Sequence, residues 1–178
     1  MTDNDRLDFW TQFLHLDGFH VVHIDTDRPN DPVRLTLIPI TAVALCPQCH
    51  RPCDTIHRRY QSDPVKDLPL GPQAVELIIR TYQFSCPDCN AFFTPSSPTF
   101  AHGAHATERF LEQAARLIRF SDIANAAAFL AVPEKTLEKW YYDYVQRQQQ
   151  RASTPHRPIR QLGIDELALK KKPASTSP

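Results

Sequence analysis

The sequence has no run of apolar residues long enough to span a membrane, and it has no secretory signal peptide. Its first eight residues include Asp3, Asp5 and Asp8 instead of the basic start and apolar core of a signal sequence. These two absences predict a cytoplasmic protein.

Glycine is also scarce: there are 4 glycines but 16 prolines in 178 residues. Eleven of the prolines lie between Pro29 and Pro98, and proline interrupts helices. We therefore expect strands and turns in this half of the chain. The hydrophobic fraction of 42% is large enough for a folded core.

The formal net charge is zero, since 20 basic residues balance 20 acidic ones. The distribution is nevertheless uneven: residues 1–45 carry seven aspartates and three arginines, a net charge of −4, and the remainder carries +4. No acidic residue lies between Asp143 and Asp165. The arginines of that window are Arg147, Arg151, Arg157 and Arg160.

Five cysteines are present, and four form two Cys-Pro-x-Cys turns. Two such turns can point four thiolates at one centre, the closed tetrahedral arrangement of structural zinc. In a reducing compartment this spacing favours metal over disulfides, although four ordinary buried or redox cysteines are the alternative. Cys53 is interpreted as a thiol that does not bind the metal. Alternatively, His50, Cys53 or His57 replaces one of the four predicted ligands. The predicted zinc ligands are Cys46, Cys49, Cys86 and Cys89.

The amino-terminal half reads as one helix followed by strands. Apolar residues at near-helical spacing predict a short helix, capped by Asp3 or Asp5, that ends near Gly18. Residues 19–25 and 33–45 predict strands forming a hairpin, and residues 50–70 a turn, a short strand and a loop. Residues 74–85 alternate most clearly, with Tyr82 and Phe84 expected to continue the face of residues 75, 77 and 79.

Beyond residue 105 the pattern becomes helical. Thr107 and then Ser121-Asp122 are helix caps, and Pro133 suits the first position of a third helix with an apolar face up to Val145. The spacing of Ala127, Ala131 and Leu137 suits a helix-turn-helix, although a plain three-helix bundle has the same periodicity. The exposed residues that we expect to face DNA are Glu134, Lys135, Thr136, Glu138, Lys139 and Tyr142.

Residues 146–158 have the composition of a linker, rich in glutamine and arginine and broken by proline. Its arginines, Arg147, Arg151, Arg157 and Arg160, either contact DNA phosphates or keep a hinge soluble. The same two interpretations apply to three basic residues near the cysteines, Arg58, Arg59 and Lys66.

A short apolar strand over residues 159–164 precedes Asp165, and residues 170–178 have a composition typical of disorder. A carboxylate at the end of a strand can hold a divalent metal for phosphoryl transfer, but that chemistry needs further converging acids. No acidic residue follows Glu166, so a complete metal site cannot be assembled from this sequence alone.

The order of these parts resembles the front part of the ISL-three family of bacterial insertion-sequence transposases. The resemblance rests on residues 13–18, the two Cys-Pro-x-Cys turns, residues 67–69 and 80–84, the helical unit, and residues 162–166. It implies a zinc-binding domain and a helix-turn-helix that recognise terminal inverted repeats, followed by a ribonuclease-H-like domain with an Asp-Asp-Glu triad that uses Mg²⁺. Asp165 matches the first aspartate of that triad, and the others have no counterpart here.

The sequence therefore predicts an α+β fold with a zinc-ribbon domain over residues 1–103, an all-α helix-turn-helix domain over 104–151, and a linker, orphan strand and tail over 152–178. The expected function is recognition of terminal inverted repeats in double-stranded DNA, in the cytoplasm and associated with the nucleoid. We expect no catalysis by this chain. It could bind DNA alone, as a homo-oligomer or together with intact transposase. The alternatives are a zinc-dependent regulator that inhibits intact transposase and a zinc-stabilised protein-interaction module.

Overall fold

The computed structural model describes residues 2–26 and 31–152. They form an α+β fold in which one helix and a mixed sheet precede three helices. Among these residues no helix has both the length and the apolar character needed to cross a bilayer. The elements are α1 (Asp3–Leu14), β1 (Phe19–Asp25), β2 (Val33–Pro39), β3 (Ala44–Leu45), β4 (Pro52–Cys53), β5 (Ile56–Gln61), β6 (Val65–Leu70), β7 (Gln73–Ser85), β8 (Phe92–Phe93), α2 (Glu108–Phe120), α3 (Ile123–Phe129) and α4 (Glu134–Arg151).

Helix α1 begins with a capping box. The hydroxyl of Thr2 accepts the backbone N–H of Asp5 at 3.2 Å, and the carboxylate of Asp5 accepts the N–H of Thr2 at 2.8 Å. The hydrogen bond from the Thr2 backbone lowers the pKa of Asp5. The cap is thus Thr2 and not one of the two predicted aspartates, and the helix ends at Leu14, before the predicted Gly18.

Strand β7 is the centre of the main sheet. Its first half pairs with β2 in parallel and with β6 antiparallel, and its second half pairs antiparallel with β5 and β8. β1 and β2 form the predicted hairpin. Residues 50–70, however, contain three strands where we predicted one, because β5 is exposed on nearly every residue and therefore shows no apolar alternation.

The buried face of β7 changes along the strand. Val75, Leu77 and Ile79 are buried in the core beneath α1, but Phe84 is buried in a separate cluster around the cysteines. Phe84 is five positions after Ile79, an odd number, so in a regular strand the two side chains lie on opposite faces. The expectation that Tyr82 and Phe84 continue the first face is therefore wrong, because the sheet is covered on different faces at its two ends.

Helices α2, α3 and α4 enclose a second core that includes Phe110, Leu111, Leu137 and Trp140. Thr107 caps α2 as predicted: its hydroxyl accepts the N–H of Phe110. Asp122 caps α3 through the N–H of Asn125 at 2.7 Å.

Two details of α4 differ from the sequence prediction. Pro133 is the residue before the helix and not its first residue, and the helix continues to Arg151, through half of the predicted linker. Glutamine and arginine are good helix formers, which explains why a linker-like composition continues the helix here. Residues 153–178, including the expected strand and tail, lie outside the described residues.

The sheet and the three helices are joined by a buried ionic network. Asp67 on β6 is 2% exposed, and its carboxylate accepts the hydroxyl of Thr107 at 2.7 Å and Nε of Arg109 at 2.8 Å. The guanidinium of Arg109 also donates to the carbonyl of Leu14 at the end of α1. Backbone hydrogen bonds of 2.9 Å between Lys66 and the segment before α2 reinforce this junction.

Candidate metal centre and nucleic-acid interface

The two Cys-Pro-x-Cys turns have the same backbone hydrogen bonds. In the first, after β3, the N–H of His50 donates to the carbonyl of Cys46 at 2.9 Å. In the second, after β7, the N–H of Asn90 donates to the carbonyl of Cys86 at 2.9 Å. His50 and Asn90 both have left-handed backbones, with φ of 57° and 56°. Each turn therefore curls around its first cysteine and brings both of its sulfurs to the same side.

The four sulfurs lie within 4.8 Å of one another. Sγ of Cys46 is 3.5 Å from Sγ of Cys89, and Sγ of Cys49 is 3.5 Å from Sγ of Cys86. A tetrahedral zinc site with Zn–S bonds of about 2.3 Å requires sulfur pairs about 3.8 Å apart. The predicted cysteines thus have the spacing of a structural zinc site, and they are the one group of three or more potential metal ligands in residues 2–26 and 31–152.

The thiol pKa values show how crowded this site is. The N–H of Cys49 lowers the pKa of Cys46 to about 7. The pKa of Cys89 is raised to about 12, because burial and the three neighbouring thiols outweigh the hydrogen bond from the N–H of Ala91. The pKa of Cys49 is also raised, despite the N–H of Arg51, by burial and by its neighbours. Zinc binding must therefore displace protons, after which the cation stabilises all the thiolates.

An apolar cluster supports the zinc ligands from below. The rings of Phe84 and Phe93 stack with centroids 5.7 Å apart, and both side chains are buried. Cys53 belongs to this cluster, where its Sγ donates to the carbonyl of Ser85 at 3.1 Å. It lies outside the four-sulfur group, in agreement with its interpretation as a bystander.

One exposed ion pair links the two turns. Arg51 follows the first turn and Asp88 lies within the second, and their Nη1 and Oδ1 atoms are 2.9 Å apart. Because both side chains reach solvent, this pair stabilises the site only slightly. The sulfur ligands determine its geometry.

The connection between α3 and α4 is a Schellman turn. The N–H of Val132 donates to the carbonyl of Ala127 at 3.0 Å, and the N–H of Ala131 donates to that of Ala128 at 3.3 Å. Ala131 has φ of 50°, a left-handed conformation that this turn usually reserves for glycine. The turn places Leu137 of α4 in the same buried cluster as Ala127 of α3.

The residues predicted to face DNA lie mostly on the outside of α4. Thr136 is half-buried, whereas the others are exposed. The exposed ones are Glu134, Lys135, Glu138, Lys139 and Tyr142. The structure thus leaves one face of the helix open, and whether this face binds DNA stays a prediction.

The predicted linker arginines have different surroundings. Arg147 is half-buried on α4, with Nη1 3.4 Å from the carbonyl of His102 and Nη2 3.5 Å from the carboxylate of Glu108. Its Nε is buried without a hydrogen-bond partner, whereas Arg151 is exposed in the last turn of α4. The remaining predicted site residues, Arg157, Arg160 and Asp165, lie outside the described residues.

The basic residues near the cysteines also differ. Nζ of Lys66 is 3.8 Å from Glu76 and is only partly exposed, whereas Arg58 and Arg59 are exposed on β5. The ring of Phe92 on β8 contacts that of His57 on β5 with centroids 4.6 Å apart. No role for Phe92 follows from the sequence alone, because its solvent exposure on the sheet depends on the strand register.

A comparison with family models matches residues 42–89 to the zinc-finger of transposase IS204/IS1001/IS1096/IS1165. Residues 42–89 are therefore similar to the zinc ribbon of ISL-three-type transposases. The match confirms the resemblance for this part of the chain, and together with the four-sulfur geometry it confirms a structural zinc. Separate comparisons with curated proteins and with solved structures each returned no match.

The matched segment contains all four cysteine ligands in their two Cys-Pro-x-Cys motifs, and it ends at Cys89. It therefore identifies a transposase-related module of the kind that binds nucleic acid, and it does not include a catalytic domain. With four thiolate ligands the zinc has no open coordination position, so the ion serves to hold the fold together.

Proposed function

We propose that this chain is the DNA-binding part of an ISL-three-like transposase and that it recognises the terminal inverted repeats of its element. The proposed reader is a helix-turn-helix made of α3 and α4, with α4 in the major groove. The observation that carries this proposal is the α3–α4 turn, which buries Leu137 and leaves Lys135 and Lys139 exposed early in α4.

The chemistry of the exposed face supports this assignment. Lys135 and Lys139 are four residues apart and therefore lie on the same side of the helix. Lysine donors suit phosphates and guanine edges, and the carboxylates of Glu134 and Glu138 can accept from cytosine N4. Tyr142, one turn further, is 57% exposed and extends the face.

We further propose that the described residues bind DNA and do not cut it. The four-cysteine group among them is closed, and no carboxylate cluster of three or more lies in residues 2–26 and 31–152. By resemblance, Asp165 is the first aspartate of a catalytic triad. The division of the chain between residues 103 and 104 is part of the same proposal.

Binding of the zinc-loaded chain to labelled duplexes tests the proposal. We expect tighter binding to a terminal repeat than to a shuffled duplex of equal length. Lys135→Ala and Lys139→Ala should each weaken repeat binding, and each lost phosphate contact lowers the slope of log affinity against log salt by about 0.9. Arg116→Ala is the control, since Arg116 is exposed on α2 and pairs with Glu112.

Equal affinity for repeat and shuffled duplexes would contradict recognition of the repeats. Equal losses for the two lysine variants and the Arg116 control would contradict the assignment of α4, because general loss of positive charge then explains the effect. Circular dichroism and zinc content identify any variant that has lost its fold.

A further inference from the structure

The part of the sheet next to the zinc carries arginines on both of its faces, and they have no acidic partners. No aspartate or glutamate occurs in residues 55–62, 77–87 or 89–107, which supply β5, the second half of β7, and β8. Arg58, Arg59 and Arg80 are exposed there, and within the described residues none forms an ion pair with a carboxylate. The adjacent carboxylates, Asp54 and Asp63, lie in the turns at the two ends of β5. The positive charge of this part of the sheet is therefore not balanced by neighbouring carboxylates, and it attracts a polyanion.

The strand register divides this region into two faces. Phe84 pairs with Phe93, and both are buried against the cysteines. Their neighbours in the strands point the other way, so Phe92 lies on the opposite face. Arg58 pairs with Gln83 and Tyr60 with Thr81, which places both on that opposite face too. The register shifts between Ile56 and Arg58, so His57 does not follow the alternation, and its ring contact with Phe92 places it on the same side. We call this surface the outer face, and its residues are His57, Arg58, Tyr60 and Phe92.

The outer face presents aromatic rings to solvent. Phe92 is 59% exposed and contacts the ring of His57, which is itself exposed. Tyr60 is 37% exposed, and its hydroxyl donates to Oγ1 of Thr94 at 2.8 Å, which fixes the direction of its ring. An exposed phenylalanine adds nothing to a surface that only contacts phosphates, because its ring offers no hydrogen-bond donor.

We propose that the outer face binds unpaired nucleotides. Bases stack on Phe92, His57 and Tyr60, while the guanidinium of Arg58 contacts the phosphates between them. Aromatic platforms combined with positive charge are how proteins bind single-stranded nucleic acid without sequence preference. A duplex keeps its base faces stacked inside and cannot use these rings, so this surface is distinct from the duplex-reading face proposed for α4.

Fluorescence anisotropy of the zinc-loaded chain with labelled oligothymidylate, and with a random duplex of the same length, tests this inference. Stacking contributes about 1–3 kcal/mol per base, so Phe92→Ala should weaken binding to oligothymidylate about 5- to 150-fold. Phe92→Tyr keeps a ring and should restore most of the affinity. Arg58→Gln should lower the salt slope by about 0.7, the value of one contact on a single strand.

Two control variants share the charge change but not the location. Arg59 is next to Arg58 but pairs with Tyr82, on the other face, and its guanidinium lies 5.8 Å from the Tyr82 ring centroid. Arg116 lies on α2. Arg59→Gln and Arg116→Gln should each change affinity for oligothymidylate less than Arg58→Gln does.

Unchanged oligothymidylate affinity in a folded, zinc-loaded Phe92→Ala variant would overturn the inference. Equal losses for the duplex and the single strand would overturn it as well, because the effect would then not depend on unpaired bases. Lys139→Ala separates the two proposals: it should weaken repeat duplex binding and leave oligothymidylate binding intact. A protein that binds no repeat but keeps Phe92-dependent single-strand binding contradicts only the function proposed for α4.

Discussion

Replacing Ala131 by glycine should stabilise this protein, although glycine is usually destabilising. Ala131 is exposed and has φ of 50°, a conformation that costs a residue with a Cβ about 1–2 kcal/mol. Glycine has no such cost but loses about 0.5–1 kcal/mol more backbone entropy on folding. The difference leaves Ala131→Gly more stable by about 0.5–1 kcal/mol.

Ala128 provides a matched control three residues earlier. It is exposed like Ala131 but lies within α3, where glycine costs about 0.5–1 kcal/mol relative to alanine. Ala128→Gly should therefore destabilise the protein. The same chemical change should thus have opposite signs at the two positions, with a total separation of about 1.5 kcal/mol.

Thermal and urea unfolding of the zinc-loaded protein measure this difference. At this chain length 1 kcal/mol corresponds to about 2–4 °C in Tm. Trp140 is buried in the core of α2, α3 and α4, so its fluorescence reports on the part of the molecule that contains the turn. If Ala131→Gly destabilises the protein as much as Ala128→Gly does, the left-handed turn between α3 and α4 is wrong.

Zinc removal and the buried ion pair give two further predictions. Chelation of the zinc should greatly increase amide hydrogen exchange in β5 and β8, because these strands pack on the core around the cysteines. The amide of Leu77 should be affected less, because Leu77 belongs to the separate core under α1. An equal increase in exchange at all of these positions would contradict this separation. Asp67→Ala removes the carboxylate that accepts from Arg109 and Thr107, which leaves Arg109 with the Leu14 carbonyl but without its counter-charge, and should cost about 3 kcal/mol in urea unfolding. Glu112→Ala, which removes an exposed ion pair, should cost less than about 0.5 kcal/mol, and similar costs for both variants would refute the importance of burial.

The predictable parts of the fold are those whose signals are local. The strand at Phe19–Asp25 and the caps Thr107 and Asp122 follow from neighbouring residues, because periodicity and capping act over a few positions. The zinc ligands are predictable for the same reason, since each turn carries its own spacing. The match to the zinc-finger family model depends on this local spacing as well, and not on contacts between distant segments.

The missed features depend on contacts between distant segments. Strand β5 exposes nearly all of its side chains and gains its conformation from backbone pairing with β7, so its sequence shows no alternation. The sequence around Asp67 does not indicate that this residue is buried, because its partner Arg109 lies 42 positions later in the chain. The outer face was missed because Phe92 and Arg58 are brought to the same face only by the way β5 and β8 pair with β7.

The Asp67 network also bears on how the two proposed DNA surfaces work together. The backbone of Lys66 forms hydrogen bonds with the segment before α2, and the carboxylate of Asp67 accepts hydrogen bonds from Thr107 and Arg109. The helices are therefore attached to β6 by both backbone and side-chain hydrogen bonds. Strand β6 pairs with β7, which also carries β5 and the second zinc turn. A helix α4 bound to a repeat therefore brings the outer face to a defined position on the DNA, because no step in this series of contacts depends on a flexible linker.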